Sequence, residues 1–130
     1  MLLSHLFDLC FALCGKDNYW QVSEQCNMIA WAYETGNYLL ISRNGGYMAC
    51  FYAFCNYDDV ERIMKSNDYM EGLMVLMRRQ IRGDVIFPFL VCGKVDKIHK
   101  DMFKLHARAL GAKRMIYYKS KLHKFYTVEV

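Results

Sequence analysis

Apolar residues recur along this chain with two different periods, and each stretch of constant period predicts one element. Leu2, Leu6, Leu9 and Leu13 are spaced three and four residues apart and predict a first helix that Gly15 can end. A polar loop, GKDNYWQ, follows. Val22, Cys26, Ile29, Ala30 and Tyr33 share one face of a second helix over 22–35, with Gly36 just past its end. The period then changes. NYLLISR and YMACFYAF flank NGG, in which Asn44-Gly45 accepts positive φ at both central positions of a tight hairpin turn. The second of these strands is apolar at nearly every position, which predicts a strand covered on both faces.

Residues 57–66 (YDDVERIMKS) and 68–82 (DYMEGLMVLMRRQIR) read as helical or turn-rich connections, with Gly72 a weak point in the second. Residues 83–110 read as a strand that breaks at Pro88, ends at Gly93 and runs into an amphipathic helix. Pro88 is the only proline, and because it cannot donate to a ladder it predicts a bulge or an edge. On the helix, Val95, Ile98, Met102, Leu105 and Ala109 form an apolar row expected to face the core, and Lys97, Lys100, Lys104 and Arg108 form a basic row. Gly111 ends it, and KRMIYYKS and KFYTVEV supply two last strands around a polar turn at 121–123. With no repeat or linker, the expectation is a single α+β domain over 1–130, of order ααββααβαββ, built on a central mixed, mostly antiparallel sheet.

Composition narrows the chemistry. A chain of 130 residues can bury a core without metal or disulfide help. Its six cysteines lie in apolar surroundings without close CxxC pairs, which argues for reduced, buried thiols in a cytoplasmic protein and against a zinc site. The apolar start, MLLSHLFDLCFALC, carries His5 and Asp8 and is too short to span a bilayer, so it reads as a core or interface helix. Net charge is +4, but residues 1–77 hold four Lys/Arg against nine Asp/Glu, while residues 78–130 hold thirteen against four. An anionic partner belongs with the basic half, unless those lysines only solvate a helix face.

The element order resembles the GNAT acyltransferase fold, with N-terminal helices, an early hairpin, a bulged strand and a helix after it. More closely, GNYLLISRNGGYMACFYAFCNYDDVERI followed by RGDVIFPFLVCG resembles the middle of the RTX toxin-activating lysine acyltransferases, and the likeness runs over residues 17–110. It includes NYWQVSEQCNMIAWAY, similar to the helix entry after that family's catalytic histidine. The resemblance implies transfer of an acyl group from acyl-CoA or an acyl-carrier protein to a protein amine, and small relatives encoded by bacteriophages acting in the host cytoplasm. Two departures bear on the chemistry. The family places a histidine just before a Trp and an aspartate within the long strand, whereas this chain reads Asp17-Asn18-Tyr19 before Trp20 and Phe87-Pro88-Phe89-Leu90 in the strand. Neither catalytic residue carries over, which leaves a fold that binds a protein partner without catalysis as the alternative.

Acyl transfer to an amine needs a base, a cradle for the thioester and a donor for the departing thiolate. If the strand opens at Pro88, backbone groups of Leu90, Val91, Cys92, Gly93 and Lys94 could pair with the amides of acetyl-CoA or acyl-CoA, with Lys97 and the helix start near the phosphates. Asp17, Glu34 and His5 are the polar candidates for the base, with Asp17 weighed against a turn cap and His5 against an interface histidine. Tyr117 is the candidate donor, against a packed strand ring, with Tyr118 and Tyr126 alongside. Cys92 at a helix start could be a nucleophile, against a buried strand cysteine. Arg78, Arg79, Arg82, Lys100 and Lys104 are the candidates for an acidic carrier or protein substrate. The apolar first helix and the Met-rich segment also suit a homodimer contact. A third reading, nucleic-acid binding, adds Lys97, Lys113, Arg114, Lys119, Lys121 and Lys124 to these cations, with Tyr117, Tyr118 and Tyr126 interleaved as base platforms. His99, His106 and His123 lack metal spacing, and no metal site is expected.

Overall fold

The computed structural model describes residues 2–13, 22–65, 69–79, 83–119, 122 and 124–130. They form α1 (Leu3–Leu13), α2 (Val22–Thr35), β1 (Tyr38–Arg43), β2 (Gly46–Cys55), α3 (Tyr57–Lys65), α4 (Tyr69–Arg79), β3 (Val85–Gly93), α5 (Lys97–Ala109), β4 (Arg114–Lys119) and β5 (Lys124–Glu129). This is the order read from the periodicity. The strands make one mixed five-stranded sheet in the order β1-β2-β3-β4-β5. β1 and β2 are antiparallel, as are β4 and β5, while β3 and β4 are parallel. The described residues cluster into two compact units, Met1–Tyr52 with Leu90–Phe103, and Ala53–Phe89 with Lys104–Val130.

In the first unit, α2 closes with Asn37 N–H donating to the Ala32 carbonyl at 2.9 Å and Gly36 N–H to the Tyr33 carbonyl at 3.4 Å. The hairpin turn has positive φ at both central residues, 52° at Asn44 and 76° at Gly45, as its dipeptide predicts. The core gathers Leu6, Cys10, Met28, Ile29, Ala32, Ile41 and the run Met48–Tyr52. The faces of α1 and α2 differ from the expected ones. α1 buries Leu6 and Cys10 and leaves Leu2 in solvent, and α2 buries Gln25, Met28, Ile29 and Ala32. Tyr33 stays half-buried because its ring stacks on Tyr38, 6.2 Å away, which leaves a tyrosine with one apolar side and one wet side.

The second unit packs Val60 and Ile63 of α3 and Leu73, Leu76 and Met77 of α4 with Val85, Ile86, Phe87 and Phe89 of β3 and Met115 and Ile116 of β4. α3 starts with Asn56 N–H donating to Asp59 Oδ2 at 3.1 Å, the backward half of a capping box. The end of α5 repeats the pattern of α2, with Ala112 N–H on the Ala107 carbonyl at 3.0 Å and φ of 93° at Gly111.

Two expectations about β3 and α5 are also corrected. Pro88 does not mark an edge, because β3 is the third of the five strands. The second correction is the orientation of α5. Its buried row is His99, Phe103 and Ala107, at strict four-residue spacing, while Val95, Ile98, Met102, Leu105 and Ala109 face solvent. One aromatic ring decides this, since Phe103 packs edge-on against Tyr52 with centroids 5.8 Å apart. Summed hydropathy favours the other face, but a buried ring and an alanine that permits close approach set the rotation.

Four cysteines, Cys10, Cys26, Cys50 and Cys55, are free thiols, in line with the reduced reading. Cys92 corrects the expectation of reduced thiols throughout, since it is disulfide-bonded. Among the described residues no helix is long and apolar enough to cross a membrane.

Candidate functional site

β3 enters the sheet paired to β4 and then loses it. The parallel register is Val85 with Arg114 and Ile86 with Met115, and it stops there, one residue short of the Phe87-Pro88 step. Both strands continue, β3 to Gly93 and β4 to Lys119. The pyrrolidine nitrogen of Pro88 offers no donor at the point where the ladder lapses. Phe87, the residue after the last paired position, is fully buried, with its ring stacked 6.4 Å from Phe125 on β5. Beyond it Pro88 is half-buried, Phe89 and Leu90 are buried, and Val91 is exposed.

β3 ends in a tight approach to β2. Gly93 has φ of 99°, and a side chain there would put its Cβ 2.4 Å from the Tyr47 carbonyl oxygen. Only glycine fits this position. The chain then turns through exposed Lys94 and Val95 into α5, whose first turn is capped from both directions. His99 N–H donates to Asp96 Oδ1 at 2.9 Å, and Asp96 N–H donates to His99 Nδ1 at 3.3 Å, a capping box with histidine where glutamate or glutamine is usual. His99 Nδ1 also lies 3.2 Å from Asp96 Oδ1. His99 Nε2 is buried and meets no partner among the described residues. Asp96 also receives Arg43 Nη1 at 2.6 Å, which ties the helix start to the end of β1. The capping hydrogen bond from His99 and the Arg43 guanidinium hold the Asp96 carboxyl down at about 2.

Placement of the sequence-derived candidates follows from this. Leu90 and Cys92 are buried, Gly93 is half-buried, and Val91, Lys94 and Lys97 are exposed, all on β3 or at the start of α5. The cradle residues are therefore contiguous. The helix start is not vacant, because the Asp96 carboxylate already takes the His99 N–H. His5 is exposed on α1, and Asp17 lies outside the described residues. Tyr117 is half-buried on β4, stacked at 5.6 Å on its cross-strand neighbour Tyr126. Arg78 is exposed on α4, Arg79 closes that helix, and Arg82 lies outside the described residues. Lys100 is exposed and Lys104 half-buried on α5.

Cys92 is withdrawn as a nucleophile by its disulfide, since a disulfide sulfur has no thiolate to offer. Burial pushes the thiols of Cys10 and Cys55 up to about 12 and that of Cys50 higher, so these remain protonated and inert. The tyrosines proposed as base platforms are partly covered by the chain's own cations. Lys119 Nζ lies 4.8 Å from the Tyr126 ring centre and 5.9 Å from that of Tyr117, and Lys124 Nζ lies 5.5 Å from Tyr126. These contacts offset the like charges of the directly opposed Lys119 and Lys124. Among the described residues no group of three or more His, Cys, Asp or Glu could hold a metal ion.

Sequence reasoning missed Asp96, His99 and Arg43. The Asp-x-x-His spacing at a helix start was a visible signal, hidden because the pattern is usually sought with Glu or Gln. The Arg43 contact spans 53 residues and had no local signal. No protein-family model matches the chain, and no curated protein matches it.

Proposed function

We propose that the chain is a GNAT-like acyltransferase, similar to the toxin-activating lysine acyltransferases, that holds an acyl thioester along β3 beyond Pro88 and passes the acyl group to a protein amine. The observation that carries this reading is the parallel β3–β4 ladder that ends after Ile86 while both strands run on. A strand released from its neighbour keeps N–H and C=O groups that a pantetheine arm can pair with, and Leu90–Lys94 supply them. Because Asp96 occupies the first turn of α5, phosphate contacts fall to the exposed Lys94 and Lys97 side chains rather than to the helix end.

In the reaction the amine nitrogen adds to the thioester carbonyl, the C–N bond forms and the C–S bond breaks. The thiolate leaves with a proton from the hydroxyl assigned to Tyr117, and the proton that the adding nitrogen sheds as the amide forms restores that hydroxyl. His5 or Asp17 takes the ammonium proton beforehand. The acceptor is a protein amine, the donor acyl-CoA or an acyl-carrier protein, and the location the cytoplasm, that of the host if the chain is phage-encoded. Nucleic acid is the weaker partner because Lys119 and Lys124 already lie over the tyrosine rings.

Thermal unfolding with and without acetyl-CoA tests this. A ligand that binds the native state at a hundredfold excess over Kd stabilises it by about 2.7 kcal/mol, so the midpoint should rise by several degrees. An unchanged midpoint at millimolar acetyl-CoA overturns the cofactor reading.

A further inference from the structure

The outward row of α5 is exposed in the structure of the described residues. Ile98 is 47% exposed, Met102 42% and Leu105 62%, with Val95 at 38% just before the first turn. Large apolar side chains on a helix surface are ordinary singly, but a continuous row of them on one helix marks a contact surface. Their spacing of three, four and three residues is that of a coiled-coil seam.

The width of the row and its charge decide what it holds. A bilayer surface takes a broad apolar face with lysines on both flanks. Here one flank is the buried row of His99, Phe103 and Ala107, so a narrow strip remains, fitted to a single helix. The open flank carries Lys97, Lys104 and Arg108, with Asp101 among them. A second copy of the chain docked through this row would bring two such basic flanks together. An acidic helix meets them with opposite charge.

We infer that this face of α5 docks an amphipathic helix of a partner protein, with leucine-type residues on the Ile98–Met102–Leu105 row and glutamate or aspartate against Lys97, Lys104 and Arg108. The inference shares Lys97 with the thioester reading but does not rest on it, since the apolar row it is built on uses neither β3 nor acetyl-CoA.

The test uses the full chain and a fluorescein-labelled helical peptide of about five turns, with leucines at alternating three- and four-residue spacing and glutamates on both flanks. Fluorescence anisotropy should report saturable binding that weakens with salt. Met102→Glu and, separately, Leu105→Ser should each weaken it about tenfold or more while leaving the circular dichroism and melting point of the chain unchanged, because both side chains are exposed. Lys97→Glu with Lys104→Glu should weaken binding and flatten its salt dependence. No binding by the glutamate peptide overturns the inference, as does equal binding of a peptide with lysine in place of glutamate. Two other results also overturn it: sedimentation showing a dimer that Met102→Glu dissolves, which assigns the row to a second copy, and capture by phosphatidylserine vesicles without peptide binding, which assigns it to a membrane.

Discussion

The β1–β2 hairpin and the β3–β4 pair belong to one sheet and are built on opposite principles. In the hairpin, pairing runs without a gap from Tyr38 opposite Phe51 to Arg43 opposite Gly46, closed by a two-residue turn. In the parallel pair the strands are separated by all of α5, and only Val85–Arg114 and Ile86–Met115 are joined. A hairpin closes locally at little entropic cost, and its turn imposes the register on every later pair. A parallel pair needs a long crossover and has no turn to impose register, so one missing donor is enough to end it. The parallel pair is therefore the one whose extent local sequence imposes least.

Experiments can break this contrast at its strongest point first. Phe87→Ala removes a fully buried ring stacked on Phe125 just past the last paired position, and should lower unfolding free energy by about 3–5 kcal/mol in urea titrations. A loss below about 1 kcal/mol would mean that the ring does not hold the β3 end of the seam. On the hairpin side, Gly45→Ala forces a side chain into φ of 76° and should cost about 1–2 kcal/mol by the same measurement, with the register retained.

Pro88→Val sharpens the comparison. It restores a donor and β-branching, while it returns conformational freedom to the unfolded chain, so stability should change by less than about 1 kcal/mol. Hydrogen exchange is the telling readout. A protected amide at the substituted position, together with loss of any acetyl-CoA-induced rise in melting point, is the expected result. An unprotected amide with the ladder still ending at Ile86 would show that the chain path, and not the missing donor, parts the strands.

The smallest effect concerns Asp96. Its carboxyl is depressed in the folded state to about 2 from the ordinary 3.8, so the unfolded chain binds its proton first as acid is added. The stabilisation it contributes is present in full above about pH 4 and fades as pH falls toward 2. Comparing urea midpoints of the parent and Asp96→Asn at neutral pH and across that window should show a gap that narrows on acidification. A constant gap would remove Asp96 from the acid response.

Much of the fold was legible because its signals are local. The Asn44-Gly45 dipeptide, the uninterrupted apolar run of β2, the span of α2 and the stop of α5 near Gly111 each follow from backbone preferences or from period, and all ten elements occur in the expected order. Pro88 was legible as a disturbance but not as a location, since a missing donor says nothing about strand order. The candidate site was less legible. Lys94, Lys97 and the strand before them could be named from their sequence, but the carboxylate that occupies the start of α5 and the disulfide on Cys92 could not.

The amino-acid sequence alone determined which segments are helices, which are strands and where the tight turn lies, because φ/ψ preferences and apolar spacing act over a few residues. Tertiary structure alone decided which side of α5 is buried, that Arg43 meets Asp96 and that the parallel ladder ends at Ile86. Those outcomes depend on how rings such as Phe103 and Phe87 fit against residues distant in the chain, and close packing weighs shape at each contact rather than hydropathy summed along a face.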